Sequence, residues 1–167
     1  MKRQYTDEHA GAGTRAPLPE IEVWPNQYPT GYEIEIVMPE FTSICPKTGL
    51  PDTGTLTLTY VPGKTCLELK SLKMYTIAYR NLGIFQENVV NRMLADIVKA
   101  CRPVSATLVG DFAPRASSTA RFTACRTRGY EPQRQRCESS AWSIAASSTI
   151  AWLWISAEAA SSMPGWQ

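Results

Sequence analysis

Two stretches of the chain alternate between apolar and polar residues with the period of a half-buried β-strand. In residues 32–38, apolar or aromatic side chains recur at every second position, with Glu33 and Glu35 between them. In residues 55–60, threonine alternates with leucine and tyrosine, and β-branched threonine favours strands. Residues 41–53 contain two prolines and a glycine, which predicts a loop between the two strands.

Two amphipathic helices and a third strand are predicted next. Apolar and aromatic residues recur at helical spacing over residues 69–79, and Asn81-Leu82-Gly83 supplies a stop signal. A stronger apolar stripe covers residues 85–101 and ends before Pro103, as expected of a helix that covers a sheet. Alternation over residues 104–112 then predicts the third strand.

The order strand, strand, helix, helix, strand predicts an α+β domain, with an antiparallel sheet and both helices packed on one face. We place this domain at residues 30–115. Residues 1–29 carry charge, glycine and proline with little periodicity, which predicts a flexible N-terminal arm. A sheet of this kind needs a fourth strand directly after Arg115.

The composition changes after Arg115. Residues 116–167 hold ten Ala, ten Ser and four of the five Trp, but no Lys and no Asp. This segment is too aromatic for a linker and lacks a sustained core pattern, so we interpret it as an aberrant tail from a shifted reading frame. The coding DNA around codon 115 tests that interpretation. Loss of the fourth strand would leave the third strand unpaired on one edge and predicts poor solubility or incomplete assembly.

Composition and charge exclude several classes of protein. A chain of 167 residues suits one domain, and a net charge of +2 is too small for a nucleic-acid-binding face. Residues 141–157 are apolar but contain several serines, which argues against a membrane span. The polar N-terminus lacks a secretory signal, and the odd count of five cysteines predicts the reducing cytoplasm. His9 is the only histidine, so we expect no metal site.

The predicted loop holds the first candidate for chemistry. Cys45 and Asp52 lie seven residues apart in this loop, which two prolines stiffen. The thiolate is the reactive form of cysteine, Lys47 could lower the pKa of the thiol, and Asp52 could give or take a proton. Taken alone, the pair is better explained as an idle loop cysteine and a turn aspartate.

The predicted helices carry two further candidates. Lys70 and Lys73 share a helix face and could hold a phosphate, although such a pair is more often a solvated basic face. Glu87 falls in the first turn of the second helix, where a carboxylate is favourable to the helix dipole. A functional carboxylate there could instead accept two N–H donors from a guanine-like edge.

Three motifs in this order carry a resemblance. They are Phe-Thr-Ser-Ile-Cys-Pro-Lys-Thr-Gly-Leu-Pro-Asp at 41–52, Glu-Leu-Lys-Ser-Leu-Lys-Met-Tyr at 68–75 and Asn-Leu-Gly-Ile-Phe-Gln-Glu-Asn at 81–88. The first is similar to the catalytic loop, and the second to the signature, of a family of nitrile reductases. From residue 32 to residue 115 the chain thus resembles the NADPH-dependent 7-cyano-7-deazaguanine reductases of queuosine biosynthesis, in their short single-module form.

The resemblance implies a tunnelling fold, in which subunits with a four-stranded antiparallel sheet and two helices close into a ring-type homo-oligomer, with active sites between neighbours. It implies that Cys45 adds to the nitrile of 7-cyano-7-deazaguanine to form a thioimide, which Asp52 protonates on nitrogen. Two NADPH molecules then deliver hydride, and 7-aminomethyl-7-deazaguanine leaves. The residues implied in substrate binding are Glu87, Gln86 and, from an adjoining subunit, Glu68, and those implied in cofactor binding are Lys70, Ser71, Lys73 and Arg115.

The sequence departs from the family at two points. Gln86 stands where the family commonly has a histidine, so an amide replaces a group that titrates. Ala116 follows Arg115, where the family continues into Gly-Gly and a closing strand.

Other functions stay open on the sequence. GTP cyclohydrolases and pterin synthases of the same fold need zinc or catalytic histidines, and the lone His9 argues against both. The chain could instead be a non-catalytic ring subunit that binds purines, or an inactive frameshifted product of the reductase.

Overall fold

The computed structural model describes residues 6–28, 31–114 and 119–127 of the chain. The strands are β1 Val23–Pro25, β2 Ile34–Ile44, β3 Pro51–Val61, β4 Thr65–Leu67, β5 Ser105–Phe112 and β6 Ala120–Thr127. The helices are α1 Asp7–Gly11, α2 Leu69–Ile77 and α3 Gln86–Cys101, and a 3-10 turn at Ala78–Asn81 follows α2. Within the described ranges, no helix combines the length and apolar character needed to cross a membrane.

Four strands form one antiparallel sheet in the order β2-β3-β5-β6, and β1 and β4 form a separate two-stranded ribbon. The turn after α2 packs on β2, whereas α3 packs on β5 and β6. The apolar side of β3, represented by Leu56 and Leu58, shares one core with Leu72 of α2 and Val89 and Met93 of α3. The predicted α+β domain, with helices covering an antiparallel sheet, is therefore confirmed.

The fourth strand that the sheet and the resemblance require is present, although we expected the aberrant tail after Arg115 to lack it. β6 pairs with β5 along its length, from Ser105 opposite Thr127 to Phe112 opposite Ala120. Phe122 packs against the core from this strand. Short side chains and two arginines weaken the alternation of β6, which hid the strand within an Ala- and Ser-rich segment. Because the edge of β5 is paired, the predicted incomplete assembly loses its structural cause.

The N-terminal segment also differs from the flexible arm that we expected, over residues 6–28. Ile21 is buried in the core, and β1 pairs with β4. The main-chain N–H of Glu22 donates to the Ser71 hydroxyl at 2.9 Å. Single apolar positions make these contacts instead of a periodic stripe, so the hydrophobic pattern did not reveal them.

Candidate active site

The turn that carries Cys45 is shorter than the predicted loop, because β2 continues to Ile44 and β3 begins at Pro51. The main-chain N–H of Cys45 donates to the Leu50 carbonyl at 2.9 Å, and that of Gly49 donates to the Cys45 carbonyl at 2.9 Å. Gly49 has a φ of 68°, a conformation that glycine adopts without steric cost. The turn holds Cys45 and Asp52 at the same end of the hairpin.

A second segment is bonded to this hairpin end. The main-chain N–H of Ile44 donates to the Leu82 carbonyl at 3.0 Å, and that of Ile84 donates to the Ile44 carbonyl at 2.9 Å. Since α3 begins at Gln86, these two bonds bring its first turn beside the Cys45 turn. Residues that are distant in sequence meet here through main-chain hydrogen bonds.

Four of the predicted site residues line one cavity of about 480 Å³. They are Cys45, Asp52, Gln86 and Glu87. Side chains of Cys45 and Asp52 are buried, at 5% and 1% exposure, while Glu87 is exposed. The volume lies within the range of small-molecule sites, and the walls combine a thiol with two carboxyl groups.

The Gln86 side chain contacts Asp52 directly. Its amide Nε2 donates to Asp52 Oδ1 at 2.9 Å. The amide therefore orients the buried carboxyl group, and it does so without a proton of its own to exchange near neutral pH. We had expected Gln86 to bind substrate, and this contact adds a role in positioning the acid.

Glu68 and Ser71 hold the start of α2. The Glu68 carboxylate accepts hydrogen bonds from the main-chain N–H groups of Lys70 at 2.9 Å and Ser71 at 2.6 Å. Both bonds lower the pKa of the Glu68 carboxyl group, and the bond from Lys70 has the larger effect. The Ser71 hydroxyl donates to the Glu68 carbonyl at 2.8 Å. The structure thus shows a helix cap at these two positions and does not bring them into the cavity.

Lys70 and Lys73 lie on the exposed surface of α2, away from the cavity lining. Lys73 lines a separate groove of about 390 Å³ between α2 and β2. Arg115, the remaining predicted cofactor residue, lies outside the described residues. Across the described ranges, no three His, Cys, Asp or Glu side chains are grouped to hold a metal ion.

Three residues of the cavity lining were not predicted. They are Ala10, Phe85 and Asn88. Phe85 and Asn88 flank Gln86 and Glu87 in the third motif, so the motif could have indicated that they also line the site. Ala10 gave none, because a small residue in a polar segment has no pattern that marks it as part of a site.

Comparison with known proteins identifies the family. A family model described as QueF-like protein matches residues 51–130, a range that passes beyond Arg115 and includes β6. The NADPH-dependent 7-cyano-7-deazaguanine reductase of Elusimicrobium minutum is 58% identical over 111 residues, covering 66% of this chain and 84% of that relative. The protein of the same name from Chloroherpeton thalassium is 55% identical over 105 residues, covering 62% of this chain and 90% of the relative.

A solved structure shares the fold. The archaeosine synthase QueF-Like in its apo form matches with a TM-score of 0.53 at 17% identity, and the match covers 63% of this chain and 100% of that one. At this identity the likeness concerns the fold alone, whereas the sequence relatives identify the group. The chain therefore belongs to the family of NADPH-dependent 7-cyano-7-deazaguanine reductases.

Proposed function

We propose that this protein uses NADPH to reduce the nitrile of 7-cyano-7-deazaguanine to 7-aminomethyl-7-deazaguanine in tRNA queuosine biosynthesis. The observation that carries the proposal is the cavity in which Cys45, Asp52 and Glu87 meet. A nitrile is a weak electrophile, so its reduction needs a nucleophile for carbon and a proton for nitrogen. Cysteine and aspartic acid supply these two functions.

Cys45 is the proposed nucleophile. Its sulfur forms a bond to the nitrile carbon while one carbon–nitrogen π bond breaks, and the nitrogen takes up a proton. Asp52 donates that proton and recovers one from the Cys45 thiol, so that thiol and nitrile together give a neutral thioimide. Covalent addition divides one difficult reduction into steps with lower barriers, since a thioimide accepts hydride more readily than a nitrile.

The carbon–sulfur bond to Cys45 breaks after the first hydride addition, which releases the thiol and leaves an imine for the second. Each amine formed would thus use two hydrides, two protons and two molecules of NADPH. We propose that Lys70, Lys73 and Arg115 bind its phosphates. The exposed ammonium groups of the two lysines fit this role, because they lie three residues apart on α2 and are opposite in charge to phosphate. Ser71 supports them by holding the start of the helix.

Asp52 and Gln86 act together in the proposed reaction. The Gln86 amide fixes one carboxyl oxygen, which sets the orientation of the acid toward the nitrile nitrogen. An acid held in this way needs no movement when the proton is transferred. Because the amide does not titrate, the pH dependence of the protein should lack the step that a histidine would add at this position.

Glu87 is the proposed reader of the base. Glu87 is exposed, lies in the first turn of α3 and lines the same cavity as Asp52. Two carboxylate oxygens match the two neighbouring N–H donors of a guanine-type edge. An analogue without these donors would leave the carboxylate unpaired in the complex, which gives strong discrimination.

We further propose a ring-type homo-oligomer in the cytoplasm, with neither nucleic acid nor membrane as a partner. The strands β2 and β6 are the edges of the sheet in one chain. Large apolar side chains are exposed on β2 at Val37 and on α2 at Leu69, Met74 and Ile77. The second motif lies outside the cavity of its own chain, which supports a site shared between subunits with Glu68 from a neighbour. Four described cysteines without disulfides suit a reducing compartment.

The test is NADPH oxidation with 7-cyano-7-deazaguanine, combined with intact mass measurement of the protein mixed with the nitrile alone. The wild type should oxidise NADPH and gain one nitrile mass, whereas Cys45→Ala should do neither. Cys125→Ala is the matched control, since Cys125 lies half-buried on β6 outside the cavity lining, and it should behave as the wild type. A folded wild type with neither adduct nor oxidation would favour a purine-binding subunit or an inactive product.

A further inference from the structure

We infer that residues 6–16 form a wall of the active-site cavity and that Asn88 is the positioning residue that holds this wall. The inference rests on the proposed function for the chemistry inside the cavity. Ala10 belongs to the segment and lines the same cavity as Cys45 and Asp52. Residues far from the three motifs thus complete the site.

Asn88 makes the contact nearest the cavity. Its side-chain Nδ2 donates to the Ala10 carbonyl at 2.8 Å. Asn88 directly follows Glu87, and all three residues line the cavity. One side chain therefore joins the helix turn proposed to read the base to the segment that closes over it.

Arg92 anchors the same segment one helical turn further along α3. Its guanidinium group donates to the carbonyls of Gly13 and Ala16. Both acceptors are main-chain atoms, so the contact fixes the path of the segment and does not depend on its side chains. Asn88 and Arg92 thus hold it at successive turns.

Gly13 sets how closely the segment approaches the domain. Its φ is 72°, and a Cβ at this position would lie 2.4 Å from the Gly83 carbonyl oxygen, so only glycine fits. Gly83 pairs in turn with Ile44, the residue before Cys45. The wall therefore rests on the main-chain bridge that supports the nucleophile.

The wall limits access to Cys45, whose exposure is 5%. The carbon of a thioimide reacts with water as well as with hydride, so a closed cavity favours reduction. A segment held by a few hydrogen bonds opens locally without unfolding the sheet. Loss of the Asn88 amide should therefore expose the thiol and weaken the hold on the bound base.

The test compares Asn88→Asp with Asn91→Asp in the full chain. Asn88→Asp places a carboxylate against the Ala10 carbonyl at almost unchanged size. Asn91 is a matched control on the same helix, because its Nδ2 donates at 2.8 Å to the Glu87 carbonyl within α3 and not to the N-terminal segment. Asn88→Ala removes the bond without adding charge.

The readout is the rate at which iodoacetamide alkylates Cys45 without substrate, followed by peptide mass spectrometry with Cys125 as internal reference. We expect alkylation roughly fivefold faster in both Asn88 variants, as for the loss of one hydrogen bond, and unchanged in Asn91→Asp. In turnover, KM for 7-cyano-7-deazaguanine should rise more than kcat falls. Equal alkylation of Cys45 in the wild type and the Asn88 variants would overturn the inference. Faster alkylation of Cys45 in both Asn88 variants, together with no nitrile reduction by the wild type, would uphold the wall and overturn the proposed function instead.

Discussion

The cavity at the start of α3 and the exposed surface of α2 both carry motif residues, but they are organised differently. In the cavity, side chains from the β2–β3 hairpin, α3 and residues 6–16 meet, and Gln86 bonds to Asp52. On α2, Glu68 is used in capping its own helix, and Lys70 and Lys73 face outward as exposed charges.

This difference suggests a division of labour. A cavity built from distant segments depends on the whole fold, so its groups are held in a fixed geometry before a ligand arrives. Exposed lysines have no such geometry until a ligand or a neighbouring subunit supplies their partner. We therefore expect changes in the cavity to stop the covalent step, and changes at Lys70 and Lys73 to affect only hydride delivery.

Of the substitutions that test this division, Asp52→Asn should have the largest effect. The substitution keeps an oxygen that can accept from Gln86 but removes the proton that the nitrile nitrogen needs. We expect kcat to fall roughly 100-fold or more, the usual effect of losing a general acid. Adduct formation on Cys45 should slow in parallel, even without NADPH, and a time course of intact mass measures it.

Asp111→Asn is the control for this change. Asp111 forms an ion pair with Arg121 between β5 and β6, where both side chains are substantially exposed. An exposed pair of this kind contributes little to stability, so the variant should keep nearly full activity. Normal adduct formation in Asp52→Asn would show that the aspartate is not needed for the covalent step. It would also contradict the proposed difference between the cavity and α2.

The fold was predictable where one face of an element is buried over several turns or pleats. Residues 85–101 show this, because Val89, Met93 and Ile97 all pack in the core and impose a helical period. β6 was missed because Phe122 is its one large core contact and arginines interrupt the pattern. A strand that is stabilised mainly by main-chain pairing leaves little trace in side-chain hydrophobicity.

The site was predictable only as a set of residues, and the roles stay predictions. The resemblance named Cys45, Asp52, Gln86 and Glu87, which line one cavity in the structure. The bond between Gln86 and Asp52 could not be predicted, since it depends on how the segment before α3 pairs with β2. The role of Ala10 could not be predicted either, because its contact with Asn88 is made by the main-chain carbonyl and not by the side chain.

Alanine at both Lys70 and Lys73 should have an intermediate effect. Loss of charge-assisted bonds to phosphate should raise KM for NADPH about tenfold. The thioimide forms before hydride arrives, so the adduct on Cys45 should appear at the wild-type rate. Alanine at Lys64 and Lys99, which line a different cavity, is the control. A slower adduct in the α2 variant would contradict the division between the two regions.

Glu68→Gln should have the smallest effect of these substitutions, a slight loss of thermal stability. The pH dependence of that loss tests whether the charge of Glu68 caps α2. The N–H groups of Lys70 and Ser71 lower the pKa of Glu68 below its ordinary 4.5, so its carboxylate stabilises the folded state at neutral pH. That contribution is complete above the unfolded pKa and is lost as the pH falls through the folded pKa. Thermal unfolding should therefore show a slightly lower Tm for the variant at pH 7 and a difference that shrinks in the acid range below 4.5. A Tm difference that stays constant into that range would show that the charge of Glu68 is not what caps α2. A raised KM for the nitrile at pH 7 would show that a neighbouring subunit uses the carboxylate.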